Sequence, residues 1–266
     1  MPIYAYILIF ITASAFCYTL RFKWWEKKKT GLLVLSYHNI GKPPKKSKFK
    51  QNWTEKEVFE KQLDYILSQG YTTLTFDDLN EIQNGAAQMP SKPLLITFND
   101  GLKNNCLLLD ILKQKKAKAN IFFVFDAIDK YNLWQNSSKE LWQDMLTSTQ
   151  IKELLESGLV GFGSHSLSHK NLKNASYEEA EHEIKESKFR FEQKFGKEIY
   201  AFLPPGETQP SARTRELVFK SGYKFLFCGV PGINELPLNT EAPIKRITIE
   251  RKHYFAWVKA KLNKAF

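Results

Sequence analysis

The chain has 266 residues, 39 Lys+Arg against 28 Asp+Glu for a net charge of +11, and is 43% hydrophobic and 14% aromatic. That composition excludes a disordered or fibrous chain, and with only 11 Pro and 13 Gly it fits one large α/β domain better than two small ones joined by a linker. The charge argues against nucleic acid once it is located: ten basic residues face Glu26 alone in 21–50, residues 251–266 add five more and no acid, and 51–250 is left at −3.

Residues 1–20 carry no charged side chain, and the run from Pro2 to Leu20 is about long enough to cross a hydrocarbon core as a helix. Ala13-Ser14-Ala15 imitates a cleavage site, but no positive side chain precedes the apolar run as a secretory signal requires. The expectation is an uncleaved transmembrane anchor over 1–20, a basic juxtamembrane segment over 21–30 with Trp24 and Trp25 at the interface, and a domain over 31–266 that has the membrane as a partner. Arg21 to Lys29 point that domain to the cytoplasm by the positive-inside bias, and the side of the membrane is left open. Cys17, Cys106 and Cys228 have neither metal-ligand spacing nor a disulfide framework.

Leu32 to Tyr37 reads as a buried strand, and a loop with Pro43-Pro44 and a lysine cluster follows it. Thr54-x-x-Glu57 reads as a capping box opening a helix whose apolar face is Val58, Phe59, Leu63, Ile66 and Leu67, closed by Gly70. Further strands are expected over 71–75, 94–98, 120–125, 159–163, 199–203, 223–228 and 244–249. Helices are expected over 77–84, 102–116, 149–157, 176–195, 211–221 and 254–264, the fourth opened by the capping box Ser176-x-x-Glu179. Residues 126–146 form a long aromatic insertion. Strands alternating with helices at this spacing mean a parallel sheet, open or closed as a barrel, with ligands at the carboxyl ends of the strands.

The polar residues just past those ends carry the chemistry. They are His38, then Asn99-Asp100-Gly101, then Ser164-His165-Ser166-Leu167-Ser168-His169, then Pro204-Pro205-Gly206. Singly, each has a structural reading: a hydrogen-bonded histidine, or an Asp-Gly turn. Together, Asp100, His165 and His169 offer one carboxylate and two imidazoles with an open position, which suits a divalent metal ion, zinc first and cobalt or nickel as alternatives. His182 and His253 read as surface residues. Tyr131, Trp134 and Trp142 of the insertion either line a ligand groove or pin the loop to the core.

Thr97-Phe98-Asn99-Asp100-Gly101 and His165-Ser166-Leu167-Ser168-His169 resemble the first two motifs of the polysaccharide deacetylases, the NodB-homology or family-4 carbohydrate esterases. Tyr37-His38 resembles the branch that de-N-acetylates poly-β-1,6-N-acetylglucosamine, where the motif order begins with such a histidine. The resemblance covers about residues 31–250. It implies a distorted (β/α) barrel of NodB-homology type, metal-dependent removal of acetate from N-acetylated glycans, Asp100, His165 and His169 as metal ligands, and His38 as general acid.

Two departures qualify it. The family's general base is the first Asp of TFDDG, and here that position is Asn99, which cannot accept a proton at neutral pH. The family's third motif has an aromatic residue before glycine whose N–H helps hold the oxyanion, whereas Pro205 of Pro204-Pro205-Gly206 has no N–H. The arginine usual in that motif is replaced near Leu203. Arg246 either brings a positive charge to the site or lies on the surface. Catalytic candidates are therefore His38, Asn99 and Arg246, with Pro204, Pro205, Gly206 and Trp134 at the substrate. A catalytically degenerate glycan-binding or membrane-partner protein is the alternative.

Overall fold

The structure, a computed structural model, describes residues 31–206, 208–251, 258 and 259, with Tyr4, Phe10 and Thr12 as isolated positions. Ten strands are described: β1 Leu33–Tyr37, β2 Asn39–Ile40, β3 Trp53–Thr54, β4 Thr72–Leu74, β5 Pro93–Phe98, β6 Ala119–Phe123, β7 Val160–Ser164, β8 Ala201–Phe202, β9 Phe225–Leu226 and β10 Ile247–Thr248. Six α-helices lie between them: α1 Lys56–Ser68, α2 Phe76–Gln83, α3 Leu108–Lys115, α4 Ser148–Glu156, α5 Tyr177–Phe195 and α6 Ala212–Lys220.

Eight strands form one parallel sheet in the order β10-β1-β5-β6-β7-β8-β9. β4 shares the β6 edge of β5, pairing with its first half through Thr72↔Pro93 and Leu74↔Leu95 while β6 takes the second half through Thr97↔Asn120. The sheet curls until β9 and β10 approach each other, and there a single parallel bridge, Phe227↔Ile244, spans the gap. Both faces of the central strands are covered, so β1 and β5 are buried at every position, as a parallel sheet requires. Inside the curl, Phe76, Phe122 and Phe227 pack with ring centroids 5.0 to 5.2 Å apart. The larger core lies outside it, under α1, α3, α4, α5 and α6.

The capping box at Ser176 forms as expected, with Glu179 reaching back to the Ser176 backbone. The one at Thr54 does not. Thr54 pairs with Ile40 in the two-stranded β2–β3 ladder, so α1 starts one residue later with Glu55 as its N-cap. Two other boxes do that work unannounced, Thr75 with Asp78 and Thr147 with Gln150. The helix expected over 102–116 opens instead as a 3-10 segment, Lys103–Leu107.

The transmembrane anchor expected over 1–20, and with it the membrane location and membrane partner, is corrected. Among the described residues no helix is long and apolar enough to cross a membrane. The longest, α5, has the length but is charged along its outer face. Apart from Tyr4, Phe10 and Thr12, the first 30 residues lie outside the described ones, as does most of the helix expected over 254–264, with His253 beside it.

Candidate functional site

Because every strand of the curled sheet is parallel, the loops after β1, β5, β7 and β8 leave on the same side. β5 ends at Phe98, and the chain then turns through two left-handed residues, Asp100 at φ 75° and Gly101 at φ 76°. Glycine is required at 101, because a Cβ there would also sit 3.3 Å from the Phe123 Cα. β7 ends at Ser164, and the loop behind it holds two more left-handed residues, Ser166 at φ 68° and His169 at φ 65°. Non-glycine residues in that region cost about 1–3 kcal/mol each and persist only where surrounding bonds hold them.

Those bonds come from the serines of the Ser164 to Ser168 run. Ser164 Oγ accepts from Ser166 N at 3.1 Å and donates to Ser187 Oγ at 2.7 Å, and Ser166 Oγ accepts from His169 N at 3.0 Å. Glu183, buried on α5, takes Ser168 N at 2.9 Å and the Ser168 hydroxyl on its carboxylate, while its backbone carbonyl accepts from Leu167 N. Glu183 is a positioning residue for His169. Outer partners of metal ligands typically matter about 10–100-fold in affinity, so, should His169 hold a metal, Glu183→Ala is expected to weaken its binding by about 10-fold or more and Glu183→Gln to restore most of it, measured by competition with a zinc-binding dye.

The result is a compact donor cluster. Asp100 Oδ1 lies 3.5 Å from His165 Nε2 and 3.7 Å from His169 Nε2, and one donor atom from each of the three lies within 4.8 Å of the others. His165 Nδ1 is 2.7 Å from the Leu203 carbonyl. A carbonyl only accepts, so Nδ1 carries the proton and Nε2 presents a lone pair to the cluster. Burial pushes the Asp100 carboxyl up to about 7 against the opposing pull of Arg246. It pushes His169 down to about 4 and His165 well below the ordinary imidazole value, the charge of His169 adding to the latter. Desolvation thus disfavours charge on all three groups, and a divalent cation is the partner that a buried carboxylate and two imidazole lone pairs fit.

Beside the cluster runs a second chain of contacts. Arg246 is buried, not on the surface, with its guanidinium 5.6 Å over the Phe122 ring. Its Nε donates to the Cys228 carbonyl at 3.0 Å, and its Nη1 to Ser36 Oγ at 3.1 Å and to Asn99 Oδ1 at 2.8 Å. With the Asn99 oxygen so engaged, its Nδ2 faces His38 Nε2 at 3.2 Å. Burial, then Arg246 and His169, lower the His38 pKa to about 4. His38 is therefore neutral at pH 7 and accepts from the Asn99 amide. Asn105, fully buried, holds the His38 carbonyl at 2.9 Å.

These groups open into one cleft of about 530 Å³, lined also by Phe49, Gln51, Asn52, Trp134, Leu203, Pro204 and Gly206. Trp134 stacks on His169 at 4.4 Å and 15°. Gly206 has φ 71°, and a Cβ there would meet Asn171 Nδ2 at 2.7 Å. Pro205 is buried and does not line the cleft. His182 is exposed on α5. Sequence reasoning passed over Glu183, Ser36 and the wall at Phe49 to Asn52. Glu183 lies in a run of acids on an outwardly charged helix, and nothing in its local sequence marks it.

A parallel α/β sheet with a carboxylate and two imidazoles at its strand ends is the frame of a hydrolase. Residues 86–226, just over half of the chain, match the sequence profile of the polysaccharide deacetylases, and the chain belongs to that family of carbohydrate deacetylases. Bacillus subtilis (strain 168) YxkH, whose name places it in the same family, is 26% identical over 211 residues, 78% of this chain and 68% of that one. Among solved structures, the Streptococcus pyogenes deacetylase PplD in complex with acetate superposes with a TM-score of 0.74 at 20% identity, over 90% of this chain and 99% of PplD. IcaB from Ammonifex degensii gives 0.72 at 20% identity, over 87% and 98%. These two likenesses bear on the fold.

Proposed function

We propose that the chain is a divalent-metal-dependent N-deacetylase acting on N-acetylhexosamine units of a glycan. The observation that carries the reading is one carboxylate and two imidazole nitrogens within 4.8 Å of one another in the cleft that also holds His38 and Trp134. Asp100, His165 and His169 would hold the metal, zinc by this donor set with cobalt or nickel as alternatives. When bound, the metal supplies a Lewis acid for the amide carbonyl and lowers the pKa of water.

The protein's own groups divide the remaining work. Trp134 offers an aromatic face to a pyranose ring, and the turn at Pro204 and Gly206 lines the same cleft. His38 is the group placed to move a proton at Nε2, taking it before it can hand it to the departing amine, because it is neutral in the free protein. Asn99 orients His38 and puts an amide where the family's motif has its carboxylate base. The motif order beginning at His38 resembles that of the poly-β-1,6-N-acetylglucosamine branch in its proton-transfer group, which leaves the charge of the glycan open, and Asn99 favours a slow member, or one that binds glycan with little turnover.

The full chain with added zinc is expected to release acetate from N-acetylglucosamine oligomers, and to stop when the metal is chelated, as read by an enzymatic acetate assay. No release from a chain that also binds no metal overturns the reading.

A further inference from the structure

The loop between β2 and β3 carries Lys42, Lys45, Lys46, Lys48 and Lys50, all exposed, with no acid among them. None of the five makes an ion pair among the described residues. Residues 51–250 are net −3, so this positive charge is local.

The loop is built into the cleft wall. Its ends are tied by Gly41 N to the Thr54 carbonyl at 2.8 Å and by the ladder Asn39↔Trp53. Its middle is held by the buried carboxylate of Glu140, which accepts from Lys48 N at 2.6 Å and Phe49 N at 3.0 Å. Phe49, Gln51 and Asn52 then line the cleft that holds the Asp100 cluster.

Glu140 belongs to the aromatic insertion, so the same carboxylate joins the lysine loop to a second exposed feature. Tyr131 and Trp142 stack at 4.7 Å while remaining 40% and 49% exposed. Trp142 Nε1 donates at 2.8 Å to the carbonyl of Gln135, a cleft residue. The lysine loop and the aromatic pair are thus each joined, through Phe49 and Gln135, to segments that line the cleft. Aromatic faces accept sugar rings of any charge, but unpaired lysines select by sign.

Resting on the deacetylase reading, we propose that the substrate is an anionic glycan, with carboxylates or phosphodiesters between its N-acetylated sugars, and that Lys42 to Lys50 are the subsite for those anions. The chemistry of the product points the same way. Water adds across the amide, acetate leaves and the sugar keeps an ammonium group, so a neutral homopolymer becomes a polycation that these lysines repel. A glycan with one anion per N-acetylated sugar keeps those anions, and its new ammonium groups bring it only toward neutrality.

The test compares three probes on the zinc-loaded full chain by calorimetry: a neutral N-acetylglucosamine hexasaccharide, a hyaluronan hexasaccharide in which glucuronate alternates with N-acetylglucosamine, and a phosphodiester-linked N-acetylglucosamine oligomer. At least one anionic probe is expected to bind about 10-fold tighter than the neutral one at 50 mM salt, and the difference to collapse at 0.5 M salt. Which probe gains separates carboxylate from phosphodiester. Lys45→Gln/Lys46→Gln/Lys48→Gln/Lys50→Gln leaves the backbone donors to Glu140 in place and is expected to abolish the preference. The same change at the exposed Lys113, Lys116, Lys152 and Lys185, away from the cleft, is expected to retain it.

The proposal is overturned if the neutral probe binds as tightly as both anionic ones, if the loop variant keeps the preference, or if inorganic polyphosphate of equal charge competes as well as the glycans. Binding is read independently of turnover. Acetate release from the neutral probe without charge preference would sink this inference alone, whereas absence of metal binding and of acetate release would sink the underlying reading.

Discussion

Asp100→Asn is expected to lower zinc affinity by at least about 10²-fold and acetate release by about 10³-fold, while the metal-free protein becomes no less stable. The argument starts from the cost of the native residue. Asp100 is held at φ 75° and its carboxyl is pushed up to about 7 by burial, so without a cation it is an unfavourable group in an unfavourable conformation. Asparagine tolerates left-handed backbone well and needs no counter-charge. It also keeps one oxygen as a neutral donor, which is why the loss is read in affinity and not only in structure.

Two measurements separate these effects. Thermal unfolding of the metal-free variant should give a Tm equal to or above that of the unmodified chain. The rise in Tm that zinc produces by binding the folded state should shrink to near zero. A variant that binds zinc normally would remove Asp100 from the donor set, and His165→Ala should lose zinc affinity as Asp100→Asn does if the set is right, at a lower metal-free Tm because the Leu203 carbonyl loses its partner.

The rim of the sheet is legible in the sequence because its signal is local. Runs such as Leu94 to Phe98 announce buried parallel strands, and the residue after each run must stand at a strand's carboxyl end. Asp100, His165 and His169 come together for that reason alone. Arg246 is not legible in this way: it reaches Asn99 across 147 residues, and only the curl that brings β10 beside β1 makes the contact. Thr54 misleads for a related reason, since a strand partner at Ile40 outcompetes the cap that its local spacing spells. The joining of the lysine loop to the insertion through Glu140, 92 residues from Lys48, likewise needs the fold before it can be seen.

Asn99→Asp is expected to raise the rate of acetate release by about 10²–10⁴-fold, the usual worth of general-base assistance, with zinc affinity little changed. Arg246 is the reason the site can receive the charge. It is buried, its pKa is lowered to about 10 chiefly by desolvation, and its partners Cys228 O, Ser36 Oγ and Asn99 Oδ1 are all neutral. A carboxylate at position 99 would accept the same 2.8 Å bond and complete a charge-assisted pair.

The same substitution reverses the second contact. Asn99 now donates to His38 Nε2 at 3.2 Å, whereas a carboxylate there would accept from it. An adjacent negative charge raises an imidazole pKa, so His38 should move up from about 4 toward the range where it is charged and ready to protonate the departing amine. One atom exchanged, amide nitrogen for oxygen, would thus supply the base and recharge the acid together. The pH profile is the decisive readout: the variant should gain an acidic limb from the new carboxylate and an alkaline limb from His38. A variant that binds zinc normally, yet is no faster and keeps the unmodified profile, would show that His38 already carries both proton transfers beside a silent Asn99.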